Sequence, residues 1–188
     1  MPWIWENRAT KLAFFLLSSN KNYLKEFEEN LRNIKEKTGK CSICWSLTDS
    51  PKTICSICDS SNRNHEQICI VEEYLDLLSI EFAGGYTWVY HILWWAISPI
   101  HGVFVWDLNF SRLFDRIRES EKKLEIIIAT NPNLEGEATS SFLIEEIEKQ
   151  KLRHKVKLTR LSRGLSSWYI EYADSMSLIS ALRERKEV

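Results

Sequence analysis

Four of the five cysteines in this 188-residue chain form two identical Cys-x-x-Cys pairs, a spacing that binds metal ions. Cys41 and Cys44 form the first pair, and Cys55 and Cys58 form the second after a short polar loop. Each pair directs two sulfurs at one point, so together they supply the four thiolates of a tetrahedral zinc site. Two disulfides are the alternative, but the sequence shows no secretory pattern, which favours zinc. Four protein ligands leave no open position, so we expect one structural Zn²⁺.

A second set of polar residues follows two predicted strands, at the sheet edge where α/β proteins place their sites. Glu72 directly follows a strand-like apolar run, and Asp76 lies four residues later. Glu135 and Glu137 stand after another apolar run, where a helix begins. This order resembles the Toprim fold of topoisomerases and primases. In catalytic members of that fold, a Glu after the first strand and an Asp-x-Asp after a later strand bind Mg²⁺.

The Asp-x-Asp positions hold Asn131 and Asn133 in this chain. Magnesium prefers anionic oxygen ligands, so the two amides remove two negative charges from the site. The acids that remain are Glu72, Asp76, Glu135 and Glu137. They form either a vestigial ion site or an acidic surface for a partner, although Glu135 and Glu137 also suit a helix N-terminus without any binding role. We predict no catalysis here; a magnesium-dependent Toprim nuclease or topoisomerase-like enzyme is the alternative.

The hydrophobic pattern before the cysteines differs from the pattern after them. Residues 6–17 and 24–34 repeat apolar side chains at helical spacing, which predicts two helices. After the cysteines, strand-like and helix-like segments alternate, which predicts an α/β domain with a mainly parallel sheet flanked by helices. The predicted strands are residues 68–71, 89–93, 124–130 and 156–161. The predicted helices between and after them are residues 74–81, 109–118, 137–149 and 175–183.

The charge balance excludes some classes of protein. The chain has 25 Lys and Arg against 26 Asp and Glu, which excludes a uniformly basic nucleic-acid binder. No apolar run approaches the ~18–20 residues of a membrane helix, so we expect no membrane partner. Basic residues are concentrated in two places, because residues 1–40 have a net charge of +3 and residues 151–165 hold six basic residues and no acidic one. Such runs suit a DNA-binding face, but they also occur on ordinary solvated surfaces.

Short motifs in a fixed order run along nearly the whole chain. They are Pro2-Trp3-Ile4-Trp5, the four cysteines, Val71-Glu72, and residues 90–93, 97–99, 129–139, 159–165 and 171–174. Their order resembles the RecR family of bacterial recombination mediators. The resemblance implies a helix-hairpin-helix DNA-binding module at residues 1–38, a zinc module at 39–64, a Toprim domain at 65–165 and a C-terminal assembly segment at 166–188. The helix that precedes the hairpin in that family has no counterpart in this sequence.

The resemblance also implies a function. RecR-like proteins are non-enzymatic ring-shaped homotetramers that clamp DNA without sequence preference and help RecO or RecF load RecA at gapped DNA. The two basic hairpin positions of the family are Asn7 and Lys11 here, with Arg8 beside the first, so Arg8 and Lys11 are the predicted DNA contacts. We therefore expect a cytoplasmic, nucleoid-associated DNA-repair protein. A zinc-ribbon adaptor that binds only proteins is a further alternative.

The tryptophan content is unusual. The chain has 8 Trp and 6 Gly, and six glycines are about 3% of the residues where ~7% is ordinary. Most of the tryptophans stand where RecR-like sequences have glycine: Trp3, Trp5, Trp88, Trp94, Trp95 and Trp168. One hypothesis is that UGA codons read as glycine in the host have been translated as tryptophan. The alternative is that real tryptophans form an aromatic patch for single-stranded DNA or for an interface.

Overall fold

In the computed structural model, which describes residues 6–162 and 169–188, the first two elements are helices joined by a two-residue turn. Helix α1 spans Glu6–Ser18 and helix α2 spans Lys21–Lys37, so both helices predicted from the periodicity are confirmed. The side chain of Asn20 accepts a hydrogen bond from the N–H of Tyr23 and caps α2. The two helices meet through Phe15 and Tyr23, whose rings pack edge to face.

The four-cysteine module follows α2 directly. Strand β1 (Thr38–Lys40) pairs antiparallel with β2 (Leu47–Asp49), and the short helix α3 (Ser56–Asp59) carries the last cysteine of the set. These three elements were not predicted, because segments of three or four residues show no hydrophobic period.

The α/β domain is built on a five-stranded sheet in the order β4-β3-β5-β6-β7. The strands are β3 (Asn64–Val71), β4 (Trp88–Ile92), β5 (Leu124–Ala129), β6 (Val156–Arg160) and β7 (Lys186–Glu187). The first four are parallel, which confirms the predicted α/β class and all four predicted strands. The two-residue β7, which pairs antiparallel with β6, was missed because it is short and charged.

Helices cover both faces of this sheet. They are α4 (Tyr74–Ala83), α5 (Phe110–Glu119), α6 (Leu134–Lys149) and α7 (Ser175–Arg183). Side chains alternate along each strand, so Ile68 and Ile70 of β3 pack with α5 and α6 on one face, whereas Cys69 and Val71 pack with α4 and α7 on the other. None of the described helices combines the length and the apolar character needed to cross a lipid bilayer.

Two tryptophans have backbone conformations that favour glycine. Trp45 has a φ of 62° and Trp94 a φ of 71°, in the left-handed region where a bulky side chain is a rare outlier. Trp45 lies at the end of the turn that carries Cys41 and Cys44. The indole N–H of Trp94 donates to the carbonyl oxygen of Trp45 at 2.7 Å. Trp88, Trp95 and Trp106 have ordinary φ values. The remaining three lie outside the described residues: Trp3, Trp5 and Trp168.

The glycine hypothesis makes a stability prediction. A side chain in the left-handed region costs about 1–2 kcal/mol, so replacing Trp94 by Gly removes that cost. We expect Trp94→Gly to be about 1 kcal/mol more stable towards urea than Trp94→Ala, which loses the same indole contacts but keeps a Cβ in the left-handed region. An intact mass from the native host tests the hypothesis directly, and UGG codons at the eight positions would end it.

Candidate metal centre and carboxylate site

The four cysteines of the two pairs converge on one point. Their sulfur atoms all lie within 4.8 Å of one another, and all four residues are buried. The sulfurs of Cys44 and Cys55 are 3.6 Å apart, close to the ~3.7 Å expected between sulfurs that each bind one tetrahedral metal ion at ~2.3 Å. The cluster is therefore shaped to hold one metal ion, as the spacing predicts.

Backbone donors surround this cluster. The N–H of Ser46 lies 3.4 Å from the sulfur of Cys44, and the N–H of Cys55 lies 3.4 Å from that of Cys41. Such N–H···S contacts stabilise negative charge on the sulfurs. Because the four positions of a tetrahedral ion are filled by protein sulfur, the chemistry of this donor set is structural rather than catalytic.

Glu72, directly after β3, is hydrogen-bonded to Asn131 through both oxygens of its carboxylate. The backbone N–H of Asn131 donates to Oε1 at 2.7 Å, and its side-chain amide donates to Oε2 at 2.6 Å. Both residues are buried. Burial raises the pKa of Glu72, and the two hydrogen bonds from Asn131 oppose that shift. The carboxylate is thus directed at an amide rather than at solvent.

Asn131 also holds the C-terminal part of the chain. Its side-chain oxygen accepts a hydrogen bond from the N–H of Ile170 at 2.7 Å, and Ile170 begins the short 3-10 turn before α7. Gly136 of α6 packs against the same group, since a Cβ there would lie 2.1 Å from the carbonyl oxygen of Asn131 and 2.6 Å from Oε1 of Glu72. One amide therefore joins β3, β5 and the C-terminal segment, and helix α6 closes over it.

Asp76 acts as a helix cap. Its carboxylate accepts a hydrogen bond from the N–H of Glu73 at 2.9 Å, at the first turn of α4, and the residue is buried. Burial, together with the nearby acids Glu72, Glu73 and Glu171, raises the pKa of Asp76 to about 7, although the hydrogen bond from the N–H of Glu73 opposes the shift. Because Glu72 and Asp76 are both buried, their carboxylates are not available to a partner, and the expected acidic surface is reduced to the two acids of α6.

Glu135 and Glu137 lie in the first turn of α6, whose N-terminus is capped by the side chain of Asn133. Glu135 accepts a hydrogen bond from Ser98 and lies 3.2 Å from Nδ1 of His101. Glu137 forms an ion pair of 2.5 Å with Arg160. Both carboxylates also lie at the positive end of the helix dipole. This stabilising role at a helix N-terminus is the alternative to a binding role.

These acids do not form a second metal centre. In residues 6–162 and 169–188, the four cysteines are the only group of three or more Cys, His, Asp or Glu side chains whose ligand atoms converge. The ligand set of the alternative magnesium enzyme, Glu72 with Glu135 and Glu137, is therefore not assembled in this structure.

The two predicted DNA contacts lie on α1. Arg8 and Lys11 are exposed and three residues apart, which places them on the same face of the helix. Three basic residues of the second stretch are engaged within the fold. Arg160 pairs with Glu137, Lys155 donates to the carbonyl of Ser120, and Arg153 donates to the carbonyl of Val188.

Sequence reasoning missed two of the contacts that build this site. The hydrogen bond from Asn131 to Ile170 spans 39 residues, and no local pattern indicates it. Ser98 lies within one of the family motifs, at residues 97–99, but the spacing gave no reason to place it beside Glu135.

Asn131→Asp tests the amide contact. The change replaces a donor by a second carboxylate beside Glu72, so we expect the free energy of unfolding to fall by about 2–3 kcal/mol at pH 7. Asn133→Asp is the matched control, because Asp caps a helix as well as Asn does. Urea unfolding measures both variants, and Mg²⁺ should partly restore Asn131→Asp alone. Equal stability of the two variants would refute the importance of this amide.

Asp76 makes the stability depend on pH. Its pKa is raised to about 7 in the folded chain, from 3.8, so its contribution is present at low pH and is lost as pH rises towards 7. Asp76→Asn keeps an oxygen for the N–H of Glu73 and removes the buried charge. We expect it to raise the free energy of unfolding by about 3 kcal/mol at pH 7 and to change it little at pH 4. A gain that is the same at both pH values would exclude this explanation.

Comparison with known proteins agrees with this architecture. The model of the Toprim domain family matches residues 66–162. The chain is also similar to the recombination protein RecR of Herpetosiphon aurantiacus, with 37% identity over 190 residues that cover 100% of this chain and 89% of that protein. The buried four-cysteine cluster and the mainly parallel sheet fit the same assignment. The chain therefore belongs to the RecR family of recombination proteins.

Proposed function

We propose that this protein is a non-catalytic DNA-binding clamp of recombinational DNA repair, which helps RecO- and RecF-like proteins load RecA at gapped DNA. The observation that carries the proposal is the contact between Glu72 and Asn131. In a catalytic Toprim site the carboxylate would bind a metal ion, whereas here it accepts one hydrogen bond from the backbone N–H of Asn131 and one from the side-chain amide of Asn131. Phosphoryl transfer without that ion has no charge to stabilise the leaving and attacking oxygens. The site suits a protein that binds DNA without cutting it.

Helix α1 supplies the DNA contact in this proposal. Arg8 and Lys11 are exposed on one face of α1, so both can reach phosphate oxygens. Contacts of this kind neutralise backbone charge and carry no sequence information, so binding would be independent of sequence and would weaken steeply with salt.

Self-association is the second part of the proposal. The helices α1 and α2 expose large apolar side chains, among them Phe14 at 66% and Leu17 at 79%, and α2 buries no residue. Exposed apolar surface of this extent marks an interface. A homotetrameric ring, as the family resemblance implies, would cover these helices and place the basic residues of several copies around DNA.

The metal of the cysteine cluster is zinc in this proposal. Four thiolates in a tetrahedron are the preferred donors of Zn²⁺, and the ion would fold the module between α2 and β3. The half-buried carboxylates of Glu135 and Glu137 remain the candidates for an acidic contact with a partner protein. The protein would act in the cytoplasm, at the nucleoid.

Lys11→Glu tests the clamp. We expect it to weaken binding to a gapped duplex by about tenfold at 50 mM salt and to reduce the salt dependence, because one phosphate contact becomes a repulsion. Lys123→Glu is the matched control, since Lys123 is exposed in the turn before β5 and gives the same change in net charge. Equal affinities of the two variants would remove Lys11 from the interface.

The same preparations test the absence of catalysis. We expect no nicking of supercoiled DNA in Mg²⁺ or Mn²⁺. Metal-dependent nicking that disappears in Glu72→Ala would establish the enzyme alternative, and failure of the wild-type chain to retain DNA at low salt would favour the adaptor that binds only proteins.

A further inference from the structure

Arg116 of α5 is a partly buried cation without a carboxylate partner. Its Nη1 donates to the carbonyl oxygen of Tyr90 at 2.9 Å and lies 3.4 Å from Nδ1 of His91. Both of these residues are fully buried. In the part of the chain that the structure describes, Arg116 forms no ion pair with Asp or Glu, unlike Arg63, which pairs with Glu81.

The direct neighbours of Arg116 do not balance its charge. His91 is neutral, since burial lowers its pKa to about 3. Its Nε2 lies 2.8 Å from the carbonyl oxygen of Asn109, so the ring donates there and offers Nδ1 to Arg116. Burying a charge without an opposite charge is costly, and carbonyl and imidazole groups supply only dipoles.

The cysteine cluster adjoins the strand that Arg116 contacts, and it is a source of negative charge when its sulfurs are thiolates. Strand β4 leads from the groups that Arg116 contacts to the cluster itself, because Ile92, which follows His91, donates its N–H to the carbonyl of Cys44 at 2.9 Å. Arg112, one turn before Arg116, donates to the carbonyl of Ser42 in the same cysteine turn at 2.5 Å. Burial lowers the pKa of Arg116, and interactions with all four cysteines oppose that shift. Helix α5 thus contacts the metal module directly through Arg112, and Arg116, one turn later, contacts the strand that joins the module.

We propose that Arg116 balances the negative charge of the metal-thiolate cluster and thereby retains the metal. A Zn²⁺ ion with four thiolates has a net charge of −2. Burying that negative charge is costly, and a nearby cation offsets the cost. Arg116 is not a metal ligand in this assignment. Its positive charge stabilises the negative charge of the thiolates, as groups around the ligands of metal sites do. The inference rests on the proposed zinc site.

Zinc release from the full chain tests the proposal. Transfer of zinc to a coloured chelator is followed for the wild type, Arg116→Gln and Arg116→Lys. Gln keeps a donor for the carbonyl of Tyr90 but loses the charge, whereas Lys keeps the charge. We expect release about tenfold faster from Arg116→Gln and within about twofold of the wild type from Arg116→Lys. The control is Arg118→Gln on the same helix, because Arg118 is exposed and pairs with Asp115; its release should be unchanged.

The outcomes separate this inference from the zinc assignment. Equal release rates for Arg116→Gln and Arg118→Gln would overturn the role of Arg116 alone. Wild-type protein purified without zinc would overturn both the cofactor and the inference. If Arg116→Gln does not fold, Arg116→Lys decides, since a tenfold faster release from that variant would show that the charge is not what retains the metal.

Discussion

The buried hydrogen bonds between the carboxylate of Glu72 and the amide of Asn131 constrain the rest of the α/β domain. They join the ends of two central strands, and the other end of the same amide holds Ile170 and so the C-terminal segment. A carboxylate in that position would need a cation to neutralise it, whereas an amide satisfies Glu72 without an ion. In this structure the carboxylate at the end of β3 in the Toprim domain therefore joins elements of the fold to one another. Residue 136 must be glycine so that α6 can pack against Glu72 and Asn131.

Sequence patterns predicted the parts of this structure that depend on local order. The paired cysteines, four parallel strands and the main helices follow from spacing or from an apolar period of several residues, and they are confirmed. The burial of Asp76 and the link from Asn131 to Ile170 could not be predicted, because tertiary packing decides which polar groups are enclosed and which atoms they meet. The conformations of Trp45 and Trp94 are a different case, since the low glycine count of the chain had already made its tryptophans suspect.

Charge is arranged differently in the three parts of the chain. Helices α1 and α2 expose their basic residues, the sheet domain encloses carboxylates with amides and backbone donors, and the cysteine module contacts Arg112 of α5. The first arrangement suits contact with phosphates, the second gives rigidity, and the third suits retention of a metal. Function in this family member would then arise from surfaces and assembly, with the interior serving as a stiff scaffold.

The position of the cysteine module has a consequence for solubility. Strand β4 is an edge strand, and an uncovered edge invites pairing with strands of other molecules. On that edge the carbonyl of Cys44 accepts a hydrogen bond from the N–H of Ile92. The opposite edge is the two-residue charged strand β7. The metal module thus covers this end of the edge strand, and unfolding of the module on loss of the ion would free the N–H of Ile92 to pair with strands of other molecules.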